Sequence, residues 1–538
     1  MASWKKRFQA VPKYIWILLI IICVGVFLRT YRLHSWLDFG SDQVNDAQRV
    51  GAVVEGKAPW PAYGPDMSSS GAGGRESRFR LGPLYYDLEI VSAKIFGNNP
   101  VSMALPDWLF GVLAIPLFFY FLRRVFSINI SLALTALYAI SFFSLSFSHS
   151  AWNVNSIPFF SLLFLLSLYE LIMAKEKTHW GWAVLLGIAL GVSVQLHAIL
   201  LVLFPAMLFF ISLFCLRKNW RVGKQLILVI LVALILNLGQ IKSEQENGYI
   251  NTKIFFTSAS ASGESNESLS LRVFDDLSCN FQANTYMLSS AGTANCDFTL
   301  SKALGAEASR KLIKEAKKPI FIFSVFLVTF FSLLGYGLLI TIYRQEKDVK
   351  RKYFSGLILL YATLSFFVML PVIDVPLRYF VHVFFVPFIF LGLLIEFVAR
   401  KFSLKLSALI IASIFVALVW TNINSIKTVV KNSFADERVI LGRVEAMVDF
   451  MLSQSDSQKE IYLFYSASAG KFFTPLRYVA NQKGYALKKA EEEKGRLIEK
   501  NVFYLKISSE VDPKKETKFG KFDEYQIFNQ AILFHLQK

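Results

Sequence analysis

The sequence predicts an all-α polytopic membrane protein of about eleven transmembrane helices, followed by a small C-terminal extracytoplasmic α/β domain. Three observations carry this. The 538 residues are 54% hydrophobic and include 51 Phe, with a mean hydropathy of +0.45. Apolar runs recur that are long enough to cross a hydrocarbon core of ~30 Å. Basic residues gather at alternate loops, as the positive-inside rule requires of a multi-pass chain.

The expected spans are 14–31, 101–122, 128–147, 156–174, 181–196, 198–216, 224–241, 319–343, 354–373, 377–398 and 404–424. The fifth and sixth share one run, broken near Gln195-Leu196-His197. Lys5, Lys6, Arg7 and Lys13 precede the first span, and clusters such as Arg123/Arg124, Lys175/Lys177 and Arg217/Lys218 follow at every second loop. Loops 148–155 and 195–198 carry no Lys or Arg, and 371–378 carries only Arg378. This places the N-terminus in the cytoplasm and the C-terminal domain outside a plasma membrane. The net charge of +18 is therefore topological, and nucleic acid is not an expected partner. Span 14–31 lacks a small-residue cleavage site and reads as a retained signal anchor.

Residues 1–429 form the expected membrane domain, with outer loops at 32–100 and 242–318, and 430–538 form the soluble domain. Within loop 32–100, MSSSGAGGRES reads as mobile and LGPLYYDLEIVSAKIFG as an amphipathic helix on the membrane surface. Loop 242–318 is polar, with a flexible middle expected. In the tail, 436–453 has helical periodicity, and EIYLFYS, NVFYLKIS and YQIFNQAILFHL read as strands. Cys23 and Cys215 lie in spans and read as packing residues. Cys279 and Cys296 share the long outer loop, where an oxidising compartment permits a disulfide.

The spans carry almost no charge at mid-depth, where ion-coupled transporters usually place it, and no internal repeat is found. Polar side chains gather at the outer ends instead: Asp42, Asp46, Arg80, Asp107, His149, Asn153, Asn155, Gln195, His197, Asp374, Arg378 and His382. Asp42 and Asp46, at i and i+4 in FGSDQVNDAQRV, are expected to share one helix face. This distribution suits a lipid-linked substrate with its head group at the interface. Sugar transfer from a phosphate leaving group needs a base for the acceptor hydroxyl and donors for the departing phosphate. Asp42 is the candidate base, and Arg80, Arg378 and His197 are candidate phosphate partners. Tyr85 and Tyr86 could pack on a sugar or an isoprenoid chain.

Each assignment has a plain structural alternative. Asp42 can be a helix cap or surface acid, and Asp46 a partner of Arg49 or Arg80. His149 and His197 can be satisfied interface histidines, Arg378 a snorkelling residue, and Tyr85 and Tyr86 belt aromatics. Asp107, inside the second span, fits no bland reading, and its role stays open. No tight metal-ligand spacing appears.

Taken in order, SDQVNDAQ, GP at 64–65, GPLYYDL at 82–88 and FGNNP resemble the first outer loop of C-type (GT-C) glycosyltransferases. The similarity is to the family 39-like group, related to protein O-mannosyltransferases and the lipid A aminoarabinose transferase. WNVNSIPFFSLLFLLSLYE, QLHAILLVLFP, PLRYFVHVFFVPF and FTPLRYVANQKG match further segments of that group. The resemblance implies a GT-C fold and inverting transfer from a polyprenyl-phosphate sugar on the outer side, with Asp42 as catalytic base. The outer-edge residues expected to bind substrate are Asp46, Arg80, Tyr85, Tyr86, Asp107, His149, Asn153, His197, Arg378 and His382. Two departures stand out. Gln43 replaces the acid many relatives carry, so a divalent cation is possible but not favoured, and no cofactor is firmly expected. His149 stands where related sequences often have Arg. The expected partners are the donor, membrane lipids, and a lipid, glycan or protein acceptor. The rival reading is a lipid or glycan transporter without catalysis.

Overall fold

A computed structural model describes residues 12–65, 79–173, 180–218, 222–261, 269–291, 296, 319–371, 377–432, 438–455, 460–490, 492–493, 496–497, 501–507, 522–528 and 531–536. Helix α1 (Lys13–Thr30) is followed by two loop helices, α2 (Ser41–Val54) and α3 (Leu84–Phe96), and then by α4 (Pro100–Leu122) and α5 (Ile128–Ile140). The bundle continues with α6 (Ile157–Met173), α7 (Trp180–Leu196), α8 (Ala198–Lys218) and α9 (Gly223–Leu236). A loop helix, α10 (Leu269–Ser289), precedes α11 (Pro319–Gln345), α12 (Val349–Met369), α13 (Val386–Lys401) and α14 (Leu404–Asn432).

Among the described residues, six helices are long and apolar enough to cross a membrane, and a seventh if the bent pair Gly223–Leu236 and Leu238–Glu246 is one span. Three shorter apolar helices, α5, α6 and α7, complete the bundle's interior. Nearly every residue of α6 is buried, because it sits among α4, α7 and α12, and a helix apolar all round belongs inside. Aromatic rings lock neighbouring helices: Phe118 meets Tyr138 at 4.9 Å, and Phe164 stacks on Phe204 at 4.0 Å.

Two expected spans are not continuous helices. The stretch 224–241 bends by 62° where α9 ends. The stretch 377–398 opens as a 3₁₀ helix, Leu377–Val383, and becomes α-helical only at Val386, with Pro387 in its first turn. Proline suits that position because it has no N–H to leave unpaired. Loop 242–318 is more helical than expected, with Ile250–Ala261 and α10 in its described part. Its two cysteines, Cys279 and Cys296, form a disulfide. The stretch MSSSGAGGRES lies outside the described residues except for its flanks.

The C-terminal part holds α15 (Leu441–Gln454), α16 (Phe473–Gln482) and a five-stranded sheet. Its strands are β1 (Glu460–Tyr465), β2 (Ala486–Lys489), β3 (Val502–Ile507), β4 (Phe522–Phe528) and β5 (Ala531–Leu536), in the order β2-β1-β3-β5-β4. β1 pairs parallel with β2 and β3, and β5 pairs antiparallel with β3 and β4. The single strand expected over YQIFNQAILFHL is in fact a hairpin, β4 and β5, and the expected helix begins at Leu441. Sequence reading missed α16, whose FTPLRYVANQ buries Pro475, Leu476, Tyr478, Val479 and Ala480 on one side.

Candidate active site

The first outer loop is held by two Gly-Pro steps. Gly64 N donates to Leu81 O at 2.9 Å, and Leu81 N donates to Pro65 O at 3.1 Å. A Cβ on Gly64 would stand 2.0 Å from the Gly82 carbonyl oxygen, and one on Gly82 would stand 2.2 Å from Gln195 Oε1. Gln195 Oε1 accepts from Leu84 N at 3.2 Å, and its Nε2 donates to Gly191 O and Leu236 O. Glycine is therefore required for close approach here, and the contact fixes where α3 starts on the bundle.

α3 turns its tyrosines inward. Tyr85 Oη donates to Asp107 Oδ2 at 2.8 Å, and Tyr86 Oη donates to Asp46 Oδ1 at 2.5 Å. Asp107 also accepts from Trp152 N at 3.0 Å and from Ser156 Oγ at 2.6 Å. Three donors on one carboxylate explain how an acid persists 1% exposed inside α4, since buried charge needs hydrogen bonds. Asp107 thus joins α3, α4 and the start of α6. Glu89, one turn beyond Tyr85, is also 1% exposed, and its Oε2 has no partner among the described residues. Burial raises its pKa well above the usual carboxylate range, and the nearby Asp46 and Asp107 add to the rise.

Asp42 behaves differently. It lies in the first turn of α2, whose start is capped by Gln43 Oε1 accepting from Gly40 N at 3.1 Å, and it is exposed. Asp42 and Asp46 therefore do not share an environment. α2 packs on α3, and along it Asp46 is covered while Ser41 and Asp42 are exposed.

A three-part clamp fixes the backbone just before Asp42. Asp38 bridges to Ser150 on one side and Ile440 on the other. Asp38 N donates to His149 O at 2.8 Å, Phe39 N to Val439 O at 2.9 Å, and Leu441 N to Leu37 O at 2.9 Å. The C-terminal part thickens the clamp: Tyr478 of α16 meets the Phe39 ring at 5.3 Å, and a Cβ on Gly442 would lie 3.0 Å from the Ser35 backbone.

His149 has both ring nitrogens facing carbonyls, Nδ1 at 3.1 Å from Leu145 O and Nε2 at 3.3 Å from Tyr31 O. Burial lowers its pKa, the two carbonyls oppose this, and Arg29 pushes it further down. A neutral ring has one N–H and can serve only one of the two carbonyls. His149 reaches an anion only by releasing a backbone contact.

The remaining candidates fall into separate places. Asn153 Nδ2 donates to Leu196 O at 2.5 Å, and His197 Nδ1 accepts from Ile199 N at 3.2 Å. The His197 ring stands edge-on to Tyr379 at 5.2 Å. His382 contacts Ser365 Oγ at 2.6 Å and Tyr379 O at 2.8 Å. All three are buried. Asn155 holds Ser150 O at 2.7 Å and so braces the clamp. The exposed Arg80 side chain lies over the Tyr63 ring at 6.0 Å, while Asn251 holds its backbone. The Arg378 side chain and Asp374 lie outside the described residues.

Sequence reading missed Glu89, Asp38 and Arg29. Glu89 could have been found as an acid four residues after Tyr85, on the same inward face. Arg29 stands inside the apolar first span, fully buried, and donates to Gly25 O, Ala139 O and Ser144 Oγ. Asp38 carries no signal of its own in the sequence.

With this geometry in view, residues 83–239 match a family model described as dolichyl-phosphate-mannose-protein mannosyltransferase. ArnT from Cupriavidus metallidurans, solved with undecaprenyl phosphate, superposes with a TM-score of 0.50 at 12% identity, over 97% of each chain. The fold is that of the GT-C glycosyltransferases. The Archaeoglobus fulgidus oligosaccharyltransferase gives a TM-score of 0.46 at 13% identity, over 88% of this chain. The chain spans just under two thirds, 64%, of that enzyme's length. The S. cerevisiae Pmt1-Pmt2 complex bound to its sugar donor gives 0.32 at 16% identity, over 46% of this chain and 34% of that one. No curated protein sequence matches.

Proposed function

We propose that the protein transfers a sugar, with inversion, from a polyprenyl-phosphate donor to an acceptor at the outer face of the plasma membrane. The observation that carries this reading is Asp42: an exposed carboxylate on the first turn of a capped helix, four residues after a clamped strand. A base must be open to substrate and held still, and Asp42 is both. The acceptor hydroxyl oxygen attacks the anomeric carbon from the face opposite the phosphate. Its proton passes to Asp42, the carbon–oxygen bond to phosphate breaks, and polyprenyl phosphate leaves with the electron pair. No general acid is needed, because phosphate departs as an anion.

Arg80 is exposed and supplies the cationic partner for that phosphate, together with Arg378. Asp46, Tyr85, Tyr86, Asp107, Asn153, His197 and His382 are buried against each other and against backbone. In this reading they support the site without touching substrate. The fold shared with ArnT, whose structure holds undecaprenyl phosphate, supports the donor class.

The test offers purified protein in nanodiscs a panel of radiolabelled polyprenyl-phosphate sugars, with membrane extract as acceptor. Transfer by wild type and none by Asp42→Asn, with folding intact, is the expected result. Equal transfer by both proteins removes Asp42 from the mechanism, and binding without transfer by wild type favours the transporter.

A further inference from the structure

A cavity of about 130 Å³ opens beside the clamp, away from the Asp46–Glu89–Asp107 cluster. Its lining divides by chemistry. Leu28 near the end of α1, Leu145, and Ile426 and Val429 near the end of α14 supply apolar wall. Trp36, Asp38, His149 and Arg438 supply polar wall. The apolar part comes from the ends of two membrane helices and the polar part from loop residues, so the cavity straddles the boundary between hydrocarbon and head group. Trp36 adds a second observation: its indole N–H is buried and has no acceptor among the described residues. The Asp38 side chain opens to this space, but protein packed around it raises its carboxyl pKa, against the pull of Arg438.

We infer that this cavity receives the acceptor, and that the acceptor is a neutral lipid with a hydroxylated head. The inference rests on the glycosyl-transfer reading above. An indole face suits the C–H face of a sugar or polyol, and the indole N–H and the Asp38 carboxylate are complementary to hydroxyl groups. Asp38 and Arg438 carry opposite charges on the same wall, so the cavity offers no unopposed cation to a phosphodiester, which separates it from a donor site. The lipid chain runs down between α1 and α14, and the head lies beside the strand that leads, four residues on, to Asp42.

Ser146 lines the cavity, is exposed, and takes no part in the proposed chemistry. Ser146→Trp therefore plugs the space while sparing the base. The first readout needs no turnover: full-length protein in nanodiscs is photolabelled with a diazirine-tailed monoglycosyl diacylglycerol, or with diazirine-tailed polyprenyl phosphate, and the adducts are mapped by mass spectrometry. Glycolipid adducts at Leu28, Ile426 or Val429 that fall at least tenfold in Ser146→Trp are expected. Adducts there from polyprenyl phosphate alone, or from neither probe, overturn the inference. The second readout is kinetic: Ser146→Trp raises the KM for acceptor about tenfold and leaves that for donor unchanged, and the reverse pattern overturns it. Glycolipid labelling without any transfer by wild type defeats the enzyme reading and leaves the cavity's ligand class standing.

Discussion

Asp42 and Asp46 stand one helical turn apart and live in opposite worlds. Asp46 meets a tyrosine hydroxyl beneath α3, beside Glu89 and Asp107, where water is excluded. Asp42 faces solvent from a turn that carries its own cap. Covered acids hold helices together through their hydrogen bonds, whereas an open acid is free to take a proton from a substrate. Burial and not sequence spacing separates the two carboxylates of this helix.

The division breaks most sharply by substitution. Asp42→Asn should lower transfer by a factor of ~10²–10⁴, the usual contribution of a positioned base, while thermal stability in detergent stays at the wild-type value. A similar fall in stability would make Asp42 another structural acid. Asp107→Ala should do the converse. It leaves Tyr85, Trp152 N–H and Ser156 without their acceptor and should cost on the order of 3 kcal/mol or more, seen as lost folded yield; unchanged yield would sink the hub assignment.

Glu89→Gln should have a milder effect that depends on pH. Glu89's folded pKa is raised well above the ordinary 4.5, so the folded state prefers the protonated form, and stability is lost as pH rises from about 4.5 to that raised pKa. Glutamine mimics the protonated acid. Unfolding midpoints should match wild type near pH 4 and exceed it at alkaline pH, and a midpoint lower at every pH would show that Glu89 works ionised.

The smallest change is expected at Asp276 on α10, whose pKa burial raises to about 7, with Asp275 adding and Arg272 opposing. Its ordinary value is 3.8, so the stabilising protonated form is lost between about pH 4 and 7. Asp276→Asn should therefore gain a degree or two in Tm at pH 8 and nothing at pH 4. Equal gains at both values would trace the effect to packing.

Much of this was readable in the sequence, for reasons that particular residues show. Apolar run length found the bundle, because hydrocarbon thickness sets helix length directly. The kink at Asn237 and the 3₁₀ turn over Leu377–Val383 were not readable, because each depends on neighbours packed across the bundle. Asp42 was singled out as a candidate by loop position and resemblance. Its separation from Asp46 was invisible, since it follows from which residues of α2 the packed neighbours cover. The hairpin of β4 and β5 was hidden because YQIFNQAILFHL contains no glycine or proline to mark a break between two strands. Arg29 escaped because a single cation in an apolar run gives no hint of its three acceptors.

The clamp around Asp38 also has a bearing on how the protein is made. Its inner strand and the segment that closes it, Val439–Leu441, are separated by roughly 400 residues of chain. At ribosomal speeds of about 5–20 residues per second, the closing segment arrives about 20–80 s after the strand it must hold. Until then the turn bearing Asp42 lacks one of its two flanking partners. Closure of the clamp is thus deferred until residues 439–441 have been made, and a nascent chain with most of its bundle formed does not yet have it.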